Sequence, residues 1–350
     1  NAGNSIASGG NYNTVVGDEA GTAITTGDGN VFTGYASGDA LTLGSSNTAV
    51  GRDSLGADTK GNHSVAVGRN VLTSQNFASA TDAYNTAVGS SAGAAVTTGV
   101  DNTLIGGLAG DALTDADFNV AIGKTALGAD TLGSRSVAVG YGTLQSQNFT
   151  SATATYNTAV GYNAGGGVTT GVNNTLIGGL AGDALTTAYS NVAVGYLALS
   201  SDTKGVRSVA IGQSALQSQN FSSAITNTYN VAVGYAAGAA ITTGGSNIAV
   251  GGNALDANTT GARNVAIGYD SLGANTTASN NTAVGNASLD ANTTGTANTG
   301  IGRNALGANT TASNNTAVGM NALISNTTGA YNTAIGIASM ASNTTASDNV

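Results

Sequence analysis

The sequence predicts an all-β chain wound as a parallel β-solenoid, a β-roll of about 17 residues per coil and roughly nineteen coils. Three observations carry this reading. A glycine closes a five-residue motif at 17, 34, 51, 68, 89, 106, 123, 140, 161, 178, 195, 212, 234, 251, 268, 285, 302, 319 and 336, and fifteen of the eighteen gaps are 17 residues. Before each of these glycines the motif alternates with period 2, as in N-T-A-V-G at 315–319, which is the pattern of a strand rather than a helix. Composition is the third. The 350 residues include 53 Gly, no Pro, no Cys and only 8% charged residues, too little bulk for a thick globular core. A stack of identical turns can still cover one or two aliphatic groups per turn.

The elements follow in order around one coil. Asn or Ser opens the strand, and stacked Asn side chains can hydrogen-bond from coil to coil as a ladder. Thr or Val follows, then a small residue, then Val or Ile. The reading places the fourth-place residue in the coil core, as at Val50, Ile122, Val194, Ile267 and Val318. The third-place residue, usually Ala but Leu at 104 and 176, then faces outward. A strand apolar on both faces is normally covered on both, so this outward column predicts an oligomer. The glycine is a structural corner, represented by Gly51, Gly123, Gly195, Gly268 and Gly319, where positive φ or a close backbone approach is expected.

Along the chain the coils come in two subtypes. Residues 1–233 carry a four-coil super-repeat, in which two coils continue after the Gly with Ala-Gly and one with Ala-Leu. The fourth ends in Leu and carries four or five extra residues. In the Ala-Gly coils an aliphatic residue appears three places later, at Ile24, Leu41, Val96, Leu113, Val168, Leu185 and Ile241. One apolar anchor per coil is thus kept by two routes. Residues 234–350 run continuously at a strict 17-residue period, with tails alternating between T-T-G and T-T-A-S. The change at 234 is a shift of repeat subtype rather than a linker. The chain opens without Met and stops where a twentieth unit would begin, so both ends read as cuts within a longer protein.

The extra residues of the long coils are the candidate contact sites. S-Q-N-F recurs three times, placing Gln75, Asn76, Phe77, Gln147, Asn148, Phe149, Gln219, Asn220 and Phe221 in equivalent loops, followed by Tyr84, Tyr156 and Tyr229. Exposed aromatics with Gln and Asn suit a cell-surface glycan or host receptor. The same Phe can instead fold back and cap the longer coil. The paired Thr of the tails form a second column, suited either to a solvated β ladder or to ice. N-T-T triplets at Asn258, Asn275, Asn292, Asn309, Asn326 and Asn343 match a glycosylation acceptor.

Other chemistry finds no support. With one His, His63, and no Cys, the usual zinc sites and Cys or His catalytic pairs have no ligands or bases. Asp111 and Asp183 recur at equivalent places, but no calcium-loop motif accompanies them. No catalytic residues, metal or cofactor are therefore expected, and the chain reads as a non-enzyme. Net charge is −9 with the nine Lys and Arg scattered singly, so no nucleic-acid partner is expected. No apolar run approaches the roughly 18 residues of a membrane span.

The motifs N-T-A-V-G, S-V-A-V-G at 64–68 and S-V-A-I-G at 208–212 resemble the head repeats of trimeric autotransporter adhesins. That resemblance implies a left-handed parallel β-roll with three chains side by side. The longer form N-T-A-V-G-x-x-A-L with T-T-G spacers is similar to repeats in fibres of tailed bacteriophages and other large viruses. Together these imply an extracellular or virion-surface fibre, homotrimeric and rod-like, that presents receptor-binding surface. A virus tail fibre is favoured, a bacterial surface adhesin comes second and an ice-binding solenoid third.

Overall fold

A computed structural model describes residues 2–7 and 9–350. It is a parallel β-solenoid of nineteen turns without helix among the described residues. The backbone forms two compact units, residues 1–174 and 175–350, a division that does not coincide with the change of repeat subtype near 234. Within each unit the turns are built alike.

Each turn contributes one three-residue strand, from Thr14–Val16 in the first to Thr333–Ile335 in the last. Neighbours pair in parallel and in register. Thr282 lies opposite Thr299, Ala283 opposite Gly300 and Val284 opposite Ile301. The rest of the turn is corners and bends whose backbone groups also bond one turn away, as in Asp270 N–H to the Gly252 carbonyl at 3.0 Å. The three longer turns add two-stranded patches, pairing Gly61–Asn62 with Thr81–Asp82, Gly133–Ser134 with Thr153–Ala154, and Gly205–Val206 with Thr226–Asn227.

The glycine after the strand meets two demands at once. At Gly51, Gly123, Gly195, Gly268 and Gly319 φ lies between 130° and 137°, a conformation L side chains rarely adopt. A Cβ on Gly268 would also stand 2.5 Å from the carbonyl oxygen of Gly285 in the next turn. Neither strain nor space admits another residue.

The strand faces are reversed relative to the sequence-based expectation. The third-place residue points into the coil and is fully buried, as at Ala66, Ala138, Ala210, Ala283 and Ala317. Val50, Ile122, Val194 and Val318 lie half-buried on the outer face instead, and Ile267 is 39% exposed. The cross-section is the physical reason. The same interior must hold the strand-opening Asn, the third residue after the Gly, and either a Leu one place later or its substitute. Facing these across a narrow turn, a methyl fits unless a nearby glycine makes room for more.

The strand-opening Asn is the second interior column. Asn47 Nδ2 donates to the Gly61 carbonyl at 2.8 Å, while its Oδ1 accepts the Ser64 N–H of the next turn at 2.9 Å. Asn281 repeats this with Gly295 and Asn298, both at 2.9 Å. Such bonds offset the cost of burying an amide in every turn.

The two anchoring routes share one geometry. The fourth residue after each corner Gly is left-handed whether it is Gly93 at φ 58° or Leu127 at φ 52°. When it is Leu, the side chain fills the core at a backbone cost of roughly 1 kcal/mol. When it is Gly, the vacancy is filled from three places on. A Cβ on Gly110 would meet Leu113 and Leu104, each at 2.8 Å. The large third-place residues Phe32, Leu104 and Leu176 are fully buried in the core, each close to a glycine that makes room for it. Leu104 and Leu176 are therefore interior, not on the outside as the sequence suggested.

Candidate functional site

The S-Q-N-F loops divide into a buried half and an exposed half. Gln75, Gln147 and Gln219 are fully buried, and Phe77 and Phe149 are 4% and 7% exposed, while Phe221 is half-buried. Asn76, Asn148 and Asn220 remain exposed. The three Gln, Phe77 and Phe149 are thus interior rather than receptor-facing, and these two Phe fold back over the longer coil, whereas Phe221 keeps part of its surface.

Each Gln occupies the seventh place after its corner Gly, the place that anchors the Ala-Gly coils with an aliphatic. Gln147 Nε2 donates to Asp130 Oδ2 at 2.5 Å and to Ser136 Oγ at 2.9 Å. Its Oε1 accepts Asn157 Nδ2 at 2.8 Å. Asp130 is fully buried and also accepts the N–H groups of Gly133 and Phe149, each at 3.1 Å. Asp58 with Gln75 and Asp202 with Gln219 repeat the arrangement. Each of these buried aspartates accepts three N–H groups, which ties the loop to the turn before it.

Asn148 opens onto a surface groove of about 510 Å³ lined also by Leu108, Asp111, Thr125 and Gln145. Burial raises the pKa of Asp111, and it does the same for Asp39, Asp183, Asp256 and Asp290 at the equivalent place in other turns; backbone hydrogen bonds oppose the shift. Oδ1 of Asp183 is buried with no hydrogen-bond partner. Among the described residues no three His, Asp or Glu side chains gather at metal-binding distance.

A more prominent surface lies two residues before each strand, where every turn carries a left-handed residue, Gly29 in one turn and elsewhere a residue with a side chain. The column includes His63, Tyr84, Phe118, Arg135 and Tyr156 in the first unit, and Arg207 and Tyr229 in the second. His63 stacks on Tyr84 with centroids 5.0 Å apart and planes at 6°. Arg135 lies over Phe118 at 5.2 Å, and Arg207 lies between Tyr189 at 5.7 Å and Tyr229 at 5.9 Å. The three Tyr are legible in the sequence as followers of S-Q-N-F, but the His63 and Arg207 contacts to Tyr84 and Tyr229 are not. Arg135 and Arg207 immediately precede Ser-opened strands, and that spacing was the available signal.

The sequon asparagines are interior as well. Asn258, Asn275, Asn292, Asn309 and Asn326 are fully buried and bond from turn to turn, with Asn292 Nδ2 on Asn275 Oδ1 at 3.0 Å. In the folded chain these five amides are closed to glycan transfer. No protein-family model matches the chain, and no curated protein matches it.

Proposed function

We propose that this chain is part of a non-enzymatic fibre that projects from a virion or cell surface, assembles side by side as a homotrimer and presents receptor-binding surface. One observation carries the reading. On the outer face of the strands every second- and fourth-place residue is Thr, Val or Ile, with no charge in any of the nineteen turns. Such a face is an unusual thing to leave in water turn after turn. A footprint of about 50 Å² per turn, from a 4.8 Å strand spacing and a three-residue strand, sums to roughly 900 Å² per chain, comparable with a standard interface. Tyr141, Tyr162, Tyr196, Tyr235 and Tyr269, each about half exposed, border it two places after the fourth-place residue, the amphipathic composition of an interface rim.

With Ala buried inside the coil, the outward column is β-branched rather than small, and it is this face that a neighbouring chain would cover. A virion fibre is preferred through the N-T-A-V-G-x-x-A-L form, with a bacterial adhesin second through S-V-A-V-G. Ice binding is disfavoured. The first Thr of each pair donates its hydroxyl to a carbonyl one turn away, at 3.0 to 3.2 Å at Thr259, Thr276, Thr293 and Thr327, which leaves only the exposed second Thr, as at Thr260, Thr277 and Thr294, to face a ligand.

Sedimentation equilibrium tests the assembly, where three times 33.6 kDa is expected. A Val284→Lys variant, charged on the outer face, should dissociate to monomer with its fold intact. A wild-type monomer would sink the reading.

A further inference from the structure

We propose that the paired aromatic and arginine positions of the longer turns are binding sites for a carboxylate-bearing saccharide, a uronic acid being the simplest form. The inference deepens the fibre reading and rests on it.

The three longer turns differ in one informative way. Beside His63 the added strand carries Asp82, and the two side chains approach to 3.6 Å. At the equivalent places beside Arg135 and Arg207 stand Ala154 and Asn227. Beside the histidine the inserted strand carries a carboxylate; beside the two arginines it carries none. Among the described residues no carboxylate pairs with Arg135 or Arg207. Asn227 Oδ1 accepts one N–H of Arg207, and Arg135 makes no side-chain hydrogen bond among the described residues.

Both arginines are exposed and flanked by exposed rings. Phe118 and Tyr156 stand on either side of Arg135 in register, at 48% and 58% exposure. Tyr229 beside Arg207 is 52% exposed. A guanidinium presents a planar fork that fits a carboxylate with two parallel hydrogen bonds. The rings offer apolar faces to the C–H face of a pyranose. An inorganic phosphate would use the fork but waste the rings, and a neutral sugar would use the rings but leave the charge unmet. A sugar with its own carboxylate uses both. The insertion strands explain why these turns are chosen, since they border the cation and set its charge balance.

The net charge of −9 gives no long-range attraction for an acidic glycan, so each contact is short-ranged and weak. Repetition along a fibre supplies the avidity.

The test compares trigalacturonate with trigalactose, which differ only in the carboxylate at C6, on the full chain by saturation-transfer NMR and calorimetry. The acidic trisaccharide is expected to bind at least about tenfold more tightly than the neutral one. An R135Q/R207Q variant, altered only at exposed side chains, should lose that preference at unchanged Tm, and Y156A/Y229A should weaken both sugars. Equal affinity for the two sugars, retention of the preference in R135Q/R207Q, or no binding of trigalacturonate at about 10 mM each overturns the proposal. A trimeric chain that adheres to cell envelopes yet fails these tests overturns the saccharide site alone. A monomer that adheres to nothing overturns the fibre reading with it.

Discussion

The super-repeat turns and the continuous turns that follow them solve one packing problem with different chemistry. Both bury the seventh place after the corner Gly. In the super-repeat that column alternates, as Val96, Leu113, Asp130, Gln147 shows; from 258 onward it is Asn in every turn. The bond made to the corner three residues on follows from this choice. Asp130 accepts the N–H of Gly133, whereas Asn292 donates to the carbonyl of Gly295 at 2.9 Å. The corner carbonyl is bonded inward in both regions, by Asn119 at Gly133 and by Asn281 at Gly295. The aspartate brings the N–H into the interior network as well, whereas the amide adds a second donor to the carbonyl and continues the ladder.

Exchanging the two side chains should break each region in its own way. Asn292→Asp carries the largest effect. It sets a buried carboxylate against the Gly295 carbonyl and Asn275 Oδ1, both acceptors, and should cost about 3 kcal/mol or more by urea denaturation. The reciprocal Asp130→Asn is milder, at about 1–3 kcal/mol, because one of its three donors loses its acceptor. Adding Gln147→Glu restores an acceptor opposite the new amide and should recover part of the loss. Gly93→Leu tests the two routes. Its side chain would run into Leu104, 2.7 Å from the Cβ position, for about 1–3 kcal/mol that Leu104→Ala partly relieves.

The smallest effect is on pH dependence. Burial raises the pKa of Asp111 in one region and of Asp290 in the other, so the folded state holds these protons at a pH where the unfolded chain has released them. Stability should therefore fall as pH rises from the unfolded carboxylate pKa of 3.8 through the raised folded values, and level off above them. Asp290→Asn should flatten that slope and raise Tm slightly near neutrality. A thermal melt series between pH 3 and 8 reads both.

The period, the strand and the Gly corner were legible because backbone geometry demands them in every turn. The two anchoring routes were legible too, since a missing Leu and a new aliphatic always appear together. The facing of the strand was not. Period 2 says which residues share a side, and either side of T-A-V looks apolar. Two signals pointed the right way: Asn and Ala share a face two places apart, and the outer places admit Thr freely while the inner one stays small except beside Gly. Phe32, Leu104 and Leu176 look like exceptions until the glycines that make room for them are seen. In the S-Q-N-F loops, spacing could not separate the inward Gln and Phe from the outward Asn. The buried aspartate that receives the Gln lies 17 residues earlier, beyond any local pattern.

The register of the strands has a mechanical consequence. Most bonds that join one turn to the next reach a partner 14 to 18 residues away, and the longer turns reach 20 to 22. A chain pulled from one end therefore yields like thread from a spool, one turn per event. Each event frees about 17 residues, or roughly 60 Å of contour, and the insertion turns release some 15 Å more. The force trace would be a run of small even steps, broken by a longer stride wherever an insertion lies.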